Sequence, residues 1–441
     1  MTRTYFLRHA ESEGKKKDKF LIFLLLLTVF ECFFSFPLFS QESKVQSSSG
    51  RLLEKTGDFT IAGLEIFAID LGGGFANNLL TKNPKGMNLE RIKESISRPW
   101  IFDNSGFERN QFIHPLAGAL YYTAARANGL NFYESAFMAG LGSWIFENLC
   151  TYGNTSINDM ITTTVAGTIY GEMLHRLSLT LYNLHPLLGW IVNPLDCLNM
   201  YARKNRPTEN IGSIYYTDAF LGASFFYNKR NKSSSFNFSG GSLIIYENPF
   251  GRTSIEPFDN FSLDINFFTN LSKYLVSIDA DGTLYSWQFL HGLDALSSIG
   301  LMLNYRVTDS DDYKYSDNSF GLFMRQKLPL SKDDNSYFFA WDCQLNFAFF
   351  ETDRILNKNY FGYGLESAVT FALELKRFSL RLNSILNYEL QRQSFHMRNK
   401  FYLDFKLTPN LCLGLNDYFM IINDDYIRNY TGLYLKIRYQ K

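Results

Sequence analysis

Charge of one sign is missing from this 441-residue chain, in which 43 Lys and Arg are matched by 43 Asp and Glu. Without a basic excess there is no electrostatic footprint for a phosphate backbone, which excludes nucleic acid as a partner. Cysteine is scarce. Beyond residue 40 only Cys150, Cys197, Cys343 and Cys412 occur, with no C-x-x-C pair, so neither a disulfide scaffold nor a ribbon-type zinc site is available. In an oxidising compartment Cys150 and Cys197 could pair, with buried free thiols the equal alternative. Long apolar runs are also lacking after residue 40, which rules out a multi-helix transporter. Aromatics, by contrast, are abundant at 17%, with 42 Phe and 27 Tyr, and no disordered tail has such a composition.

The N-terminus reads as an export signal. Residues 1–40 carry six basic and four acidic side chains, an apolar run from Phe20 to Phe30 interrupted only by Thr28, and Ser40 before Gln41. A basic region, an apolar region and a small residue define a secretory signal peptide. Glu31 and Pro37 weaken the rival reading as a permanent anchor, and Glu31 directly before Cys32 argues against a lipoprotein signal. Cleavage leaves 37 basic against 39 acidic groups, about −2. Leu7-Arg8-His9-Ala10-Glu11-Ser12 resembles a phosphohistidine motif, but that motif works at the end of a first strand, not ahead of an export signal; an overlong gene start explains it better. A Ser-rich linker fills 41–58.

Residues 59–205 form a helical domain by pattern. The first part, 59–81, alternates apolar runs with Gly72-Gly73-Gly74, which is no phosphate loop because no Gly-Lys-Ser/Thr follows. Helices are predicted over Pro115–Asn128, Phe132–Leu149 and Ile157–Leu179. Pro115 suits a first helical position, Asn128-Gly129 a stop, and Ser156 with Asp159 a capping start. Arg126, Glu134, Glu147, Asp159 and Glu172 interrupt these helices, so none reads as a membrane span. Asp159, Thr163, Gly167 and Gly171 recur every four residues, a small-residue stripe suited to close helix packing.

From 215 to 441 the period changes to two. Phe261, Leu263, Ile265 and Phe267 alternate with polar residues, as do Phe401, Leu403, Phe405 and Leu407. Polar clusters at 228–235, 308–318, 330–335 and 423–429 separate the runs and give on the order of ten to twelve strands, many of the length a tilted membrane strand needs. The fold class is therefore α+β: an N-terminal helical domain followed by an antiparallel transmembrane β-barrel. The export signal, the Phe and Tyr available for lipid contact, and the near match of the closing Tyr434–Tyr439 to a barrel-assembly signal favour this over a soluble sandwich. Outer-membrane residence follows, with outer-membrane lipid and the barrel-assembly machinery as partners.

One stretch is recognisable. Trp100-Ile101-Phe102-Asp103-Asn104-Ser105-Gly106-Phe107-Glu108-Arg109-Asn110-Gln111-Phe112-Ile113-His114-Pro115, then Gly118, Tyr121, Arg126, Asn128-Gly129, Glu134-Ser135, Trp144, Glu147 and Ser156-Ile157-Asn158-Asp159 resemble the domain-of-unknown-function family 3943 of Gram-negative bacteria. The likeness continues through Gly167, Gly171-Glu172 and Arg176 to Asn193-Pro194 and Pro257-Phe258-Asp259, so that it runs from about residue 60 to 270. It implies an envelope or outer-membrane protein and carries no activity, so no catalytic residue transfers. A looser likeness of pattern, to VanZ-like helical membrane proteins, rests on His114, Glu147, Ser156, Asp159, Gly167 and Gly171.

His114, Glu147 and Asp159 are the catalytic candidates, because each places charge at a helix end or on an apolar helix. If the helices fold back on one another, an imidazole and two carboxylates converge, able to do acid–base work on an ester or to hold a divalent metal. The alternative is that Asp159 caps its own helix, His114 bonds a carbonyl, and Glu147 pairs with Arg126 or Arg176. Asp103, Asn110, Arg126 and Glu172 are candidate binding residues. Glu172 and His175 have di-iron spacing but no second matching pair. No nucleophile elbow and no H-E-x-x-H occurs, and no cofactor or metal is assigned. Two functions stand. One is a structural or small-solute role, with the helices periplasmic or plugging the lumen. The other is an envelope enzyme acting on lipid or cell-wall material through the His/Glu/Asp centre.

Overall fold

A computed structural model describes residues 58–441, except 82–92, 95–96, 152–153, 204–211, 230–231, 251–252, 255, 271–272, 289–295, 312, 332–336, 356–357, 424–425 and 441. The signal peptide and nearly all of the linker lie outside the described residues. Six helices come first: α1 (Phe59–Thr81), α2 (His114–Ala127), α3 (Phe132–Ile145), α4 (Ile157–Leu184), α5 (Pro186–Val192) and α6 (Pro194–Arg203).

Local chemistry sets their ends. Pro115 stands where the Arg109–Ile113 π-turn runs into α2, and the Gln111 carbonyl four residues before it accepts from the Tyr305 hydroxyl instead. Gly129 stops the chain with φ 85°, a conformation that favours glycine. Asn131 and Glu134 close a reciprocal capping box on α3, and the Ser156 hydroxyl accepts from the Asp159 N–H at the start of α4. Two π-turns interrupt the regular helix, Arg109–Ile113 leading into α2 and Phe146–Cys150 extending α3. Gly72-Gly73-Gly74, read in sequence as flexible, is part of continuous helix α1. A β-carbon on Gly74 would lie 3.3 Å from that of Cys150, so close packing on the end of α3 explains the small residue.

The stripe on α4 works as a packing surface. A β-carbon on Gly118 would lie 1.8 Å from the Thr163 carbonyl oxygen, and one on Gly167 would lie 2.5 Å from the Gly118 α-carbon. Helices α2 and α4 therefore cross backbone to backbone. Their first turns are thereby brought side by side.

Twelve antiparallel strands close into a barrel: β1 (Ile214–Asn228), β2 (Ser233–Tyr246), β3 (Phe261–Thr269), β4 (Tyr274–Gln288), β5 (Leu296–Ser310), β6 (Lys314–Pro329), β7 (Phe338–Ile355), β8 (Lys358–Glu374), β9 (Phe378–Glu389), β10 (Ser394–Lys406), β11 (Leu411–Ile422) and β12 (Tyr426–Gln440). Each pairs with its sequence neighbour, and β1 pairs with β12 from Tyr216↔Gln440 to Asn228↔Arg428. Closure leaves no sheet edge unpaired. The polar cluster at 308–318 is mostly strand, with Thr308–Ser310 ending β5 and Lys314–Asn318 opening β6.

Ion pairs between strands that are not neighbours identify the inward face. Arg306 on β5 reaches Glu366 on β8 at 2.8 Å, Arg398 on β10 reaches Asp279 on β4 at 3.0 Å, and Lys400 reaches Asp264 on β3 at 2.9 Å. These must cross the interior. Alternation then sends Leu303, Tyr305 and Val307 outward, yet all three are buried, whereas outward-facing Leu433 and Ile437 are well exposed. The helical domain makes the difference. The Tyr305 hydroxyl donates to the Gln111 carbonyl at 2.8 Å, its ring meets Tyr170 edge-on at 5.5 Å, and α4 lies against β4, β5 and β6. Among the described residues the helices thus lie against the outer face of β4–β6, and of the two placements that sequence left open they do not take the one inside the lumen.

Candidate polar centre on the helical domain

Residues 101–105 form a strap that starts the site. The Ile101 N–H donates to the Thr155 carbonyl and the Ile157 N–H donates back to the Ile101 carbonyl, a two-bond clamp on the start of α4. The Asp103 N–H then donates to Asn158 Oδ1 and the Asn158 amide donates to Asp103 Oδ1, both at 2.9 Å. Ser105 donates its hydroxyl to the same carboxylate, and Asn110 its amide at 3.4 Å. The barrel holds the strap from the other side. Arg354 and the Asn359 amide donate to the Ser105 carbonyl at 2.8 and 2.9 Å, the Asn359 N–H donates to Asn104 Oδ1, and Phe102 packs on Phe361 at 5.0 Å.

Beside the strap, His114, Glu147 and Asp159 converge, each offering a ligand atom within 4.8 Å of the others. His114 Nε2 lies 3.4 Å from Asp159 Oδ2, and its Nδ1 lies 3.2 Å from the Thr163 hydroxyl one turn along α4. Asn158 fixes the other Asp159 oxygen at 3.0 Å, and the Ser156 N–H fixes one Glu147 oxygen at 3.3 Å. Both π-turns sit here, one delivering His114 and the other containing Glu147; insertions of this kind re-aim side chains at functional sites.

The electrostatics are unusual for so small a volume. Burial, helped by the charge on Asp103, raises the Glu147 carboxyl to about 7. Burial together with Asp103 and Glu147 raises that of Asp159 to about 8. Burial lowers His114 to about 4. Among the described residues no Lys or Arg ion-pairs with Glu147 or Asp159, because Arg126 and Arg176 are both engaged by Glu172 at 2.9 and 2.7 Å. Of the sequence alternative, the Glu147–arginine pair and the His114–carbonyl bond are not formed, whereas Asp159 does stand in the capped first turn of α4, its N–H on the Ser156 hydroxyl.

The other candidates divide between two places. Asp103 and Asn110 adjoin the centre. Arg126 and Glu172 belong to a separate network with Tyr122, whose hydroxyl donates to Glu172 at 2.7 Å. Burial alone would raise Glu172, but the two guanidiniums hold it near 2. That network is an anchor to the barrel, because Arg176 also donates to Asp259 Oδ1 at 3.1 Å and to the Pro257 carbonyl at 3.0 Å. His175 is paired with Asp196 at 2.9 Å rather than poised for a di-iron site. All four described cysteines are free thiols.

Sequence reasoning missed Asn158 and Thr163 as members of the centre, and although it expected a polar lumen it named none of the residues that line it. At the barrel end opposite the start of β1, Phe226, Phe268, Leu275, Tyr315, Tyr418 and Tyr430 form an inward aromatic cluster. At the end where β1 begins, a cavity of about 180 Å³ is lined by Tyr216, Asp218, Arg325, Arg381, Tyr402 and Asp404, among others. The available signal was ionic residues in the polar phase of alternating strands.

Residues 99–192 match the family profile of a domain of unknown function, DUF3943. This stretch contains the strap, the three converging groups and α2 to α5, and it is shorter than the likeness read from sequence. A search of curated proteins finds no match. Among solved structures, the NanC porin is 9% identical with TM-score 0.30, covering 49% of this chain and 98% of its own. The KdgM porin is 10% identical with TM-score 0.25, covering 50% and 99%. The outer-membrane protein Omp33 of Acinetobacter baumannii is 9% identical with TM-score 0.22, covering 52% and 100%.

Proposed function

We propose that this is an outer-membrane protein in which a side-chain-filled barrel serves as a wall, and that its chemistry, directed at lipid or cell-wall material, resides in the His114–Glu147–Asp159 centre mounted on that wall. The observation that carries this reading is the convergence of three ionisable groups from separate segments into one buried cluster that has no Lys or Arg ion-pair partner among the described residues. A purely structural centre would pair its charges, as Glu172 does a few turns away.

The surroundings favour a lipid-like substrate. The barrel exposes Leu221, Phe236, Leu345, Leu365, Leu413 and Ile437, an apolar belt of the kind that meets acyl chains. The helices continue it with Leu64 and Phe67 on α1 and Leu120 on α2. His114 itself lies between exposed Ile113 and Leu116, so the centre sits just beneath the apolar surface. No described helix is long and apolar enough to cross a membrane, and the barrel strands supply the crossing.

His114→Ala and Glu147→Ala should alter the lipid profile of the outer membrane at unchanged protein abundance. If abundance falls and the profile of the remaining envelope is normal, the groups are structural.

A second reading, small-solute binding, is favoured by the cavity at the β1 end, where Arg381 is lumenal and has no ion-pair partner among the described residues. Its carboxylate neighbours are engaged elsewhere, Asp342 by Arg325 and Asp404 by Lys436. Titration with a small carboxylate or sulfonate should reveal weak binding that Arg381→Ala abolishes.

A further inference from the structure

From the donor set and its supports we infer that His114 Nε2, a Glu147 carboxylate oxygen and Asp159 Oδ2 form a site for one divalent transition cation of the zinc class. The inference deepens the reading of the same centre and rests on it only for what the ion would do, not for whether it binds.

The donor atoms lie within 4.8 Å of one another. Tetrahedral zinc with ligand bonds of about 2.0–2.1 Å places donors roughly 3.3 Å apart, and His114 Nε2 to Asp159 Oδ2 is 3.4 Å. Each ligand has its remaining polar atom held: His114 Nδ1 by the Thr163 hydroxyl, Asp159 Oδ1 by the Asn158 amide, and one Glu147 oxygen by the Ser156 N–H. Such outer contacts fix the imidazole tautomer and ring orientation and are the usual accompaniment of a ligating set. Asn158 is itself gripped by Asp103, so the supporting shell extends to the strap.

The charge balance points the same way. Two buried carboxylates face one imidazole with Asp103 beside them; Arg109 is felt at His114 and Asp159, but among the described residues no Lys or Arg forms an ion pair with either carboxylate, so a bound dication would supply the counter-charge. An imidazole among the donors disfavours magnesium and calcium, which take oxygen ligands in larger numbers. Three protein ligands leave a fourth position open, the arrangement that activates water in catalytic zinc sites.

The test uses the full-length protein in detergent, with the gel shift on heating as the check of folding. After treatment with a chelator, Zn²⁺ is titrated by calorimetry and Co²⁺ by visible absorption. One equivalent per chain is expected, together with tetrahedral Co²⁺ bands. Glu147→Gln and Asp159→Asn, which preserve shape, should remove them, Thr163→Val should weaken affinity about 10- to 100-fold, and His185→Ala, an exposed imidazole, should leave binding unchanged. Folded wild-type protein that binds neither ion overturns the site, as does binding that persists in the Glu147→Gln, Asp159→Asn double variant. If one equivalent binds but His114→Ala leaves the lipid profile unchanged, the metal site stands and the lipid reading falls; an altered profile without metal binding does the reverse.

Discussion

Asp70 shows how strongly burial acts on single residues in the helical domain. It is fully buried on α1, accepts a hydrogen bond from the Tyr121 hydroxyl, and burial raises its carboxyl to about 7 against that partner's opposing effect. A folded value above the unfolded one means the native state holds the proton more tightly. The contribution is complete below about pH 4 and is lost as pH rises through 7, a matter of a few kcal/mol. Asp70→Asn should therefore flatten the decline in melting temperature between about pH 4 and 7, and an unchanged decline would show that Asp70 is not its source. Arg126 makes the complementary case. Arg126→Ala leaves Glu172 with one guanidinium instead of two and should destabilise the domain by about 3 kcal/mol, measured by thermal unfolding. At this scale the sequence was informative about which residues are unusual, since charge on an apolar helix needs a partner, but silent about who the partner is. Sequence offered Arg126 and Arg176 as partners for Glu147, whereas both pair with Glu172.

The crossing of α2 and α4 is the critical event among elements. Gly118 and Gly167 let α2 and α4 touch through their backbones, and His114 and Thr163 lie one turn before each. Gly118→Ala has no room, because its methyl would fall 1.8 Å from a carbonyl oxygen. It should cost about 3 kcal/mol or more and separate His114 from Asp159, so the variant should lose Co²⁺ bands even where it folds. The helix and strand boundaries were largely readable because caps and alternation are local signals. α1 was not, since three consecutive glycines imitate a hinge, and close packing accounts for only the last of them, Gly74. Nor was the 308–318 hairpin, whose polar residues resemble a loop. There the inward face is mixed, Thr308 accepting from Arg398 while Tyr315 joins the aromatic cluster, and the neighbouring outward Tyr305 meets helices rather than lipid, so no apolar alternation is imposed.

For the molecule as a whole, the barrel's interior decides what passes. Cross-lumen pairs at mid-height and the aromatic cluster beyond them should keep the wild-type protein silent in planar bilayers. Truncating Phe226, Tyr418 and Tyr430 together to Ala should introduce or raise current; steady wild-type conductance would contradict the filled-barrel reading. Twelve strands could be counted from alternation within the range that sequence allowed, but the placement of the helices could not. Tyr305 carries no mark in sequence that its outward neighbour is Gln111 rather than an acyl chain.

The strap between Ile101 and Ser105 gives this architecture an order in time. Its partners on one side, Arg354, Asn359 and Phe361, belong to β7 and β8 near the far end of their hairpin, about 250 residues further along the chain. Until that hairpin is in place the strap keeps its own bonds to the start of α4 but lacks the barrel half of its grip. The geometry proposed to carry the chemistry is thereby whole only once the barrel strands have closed.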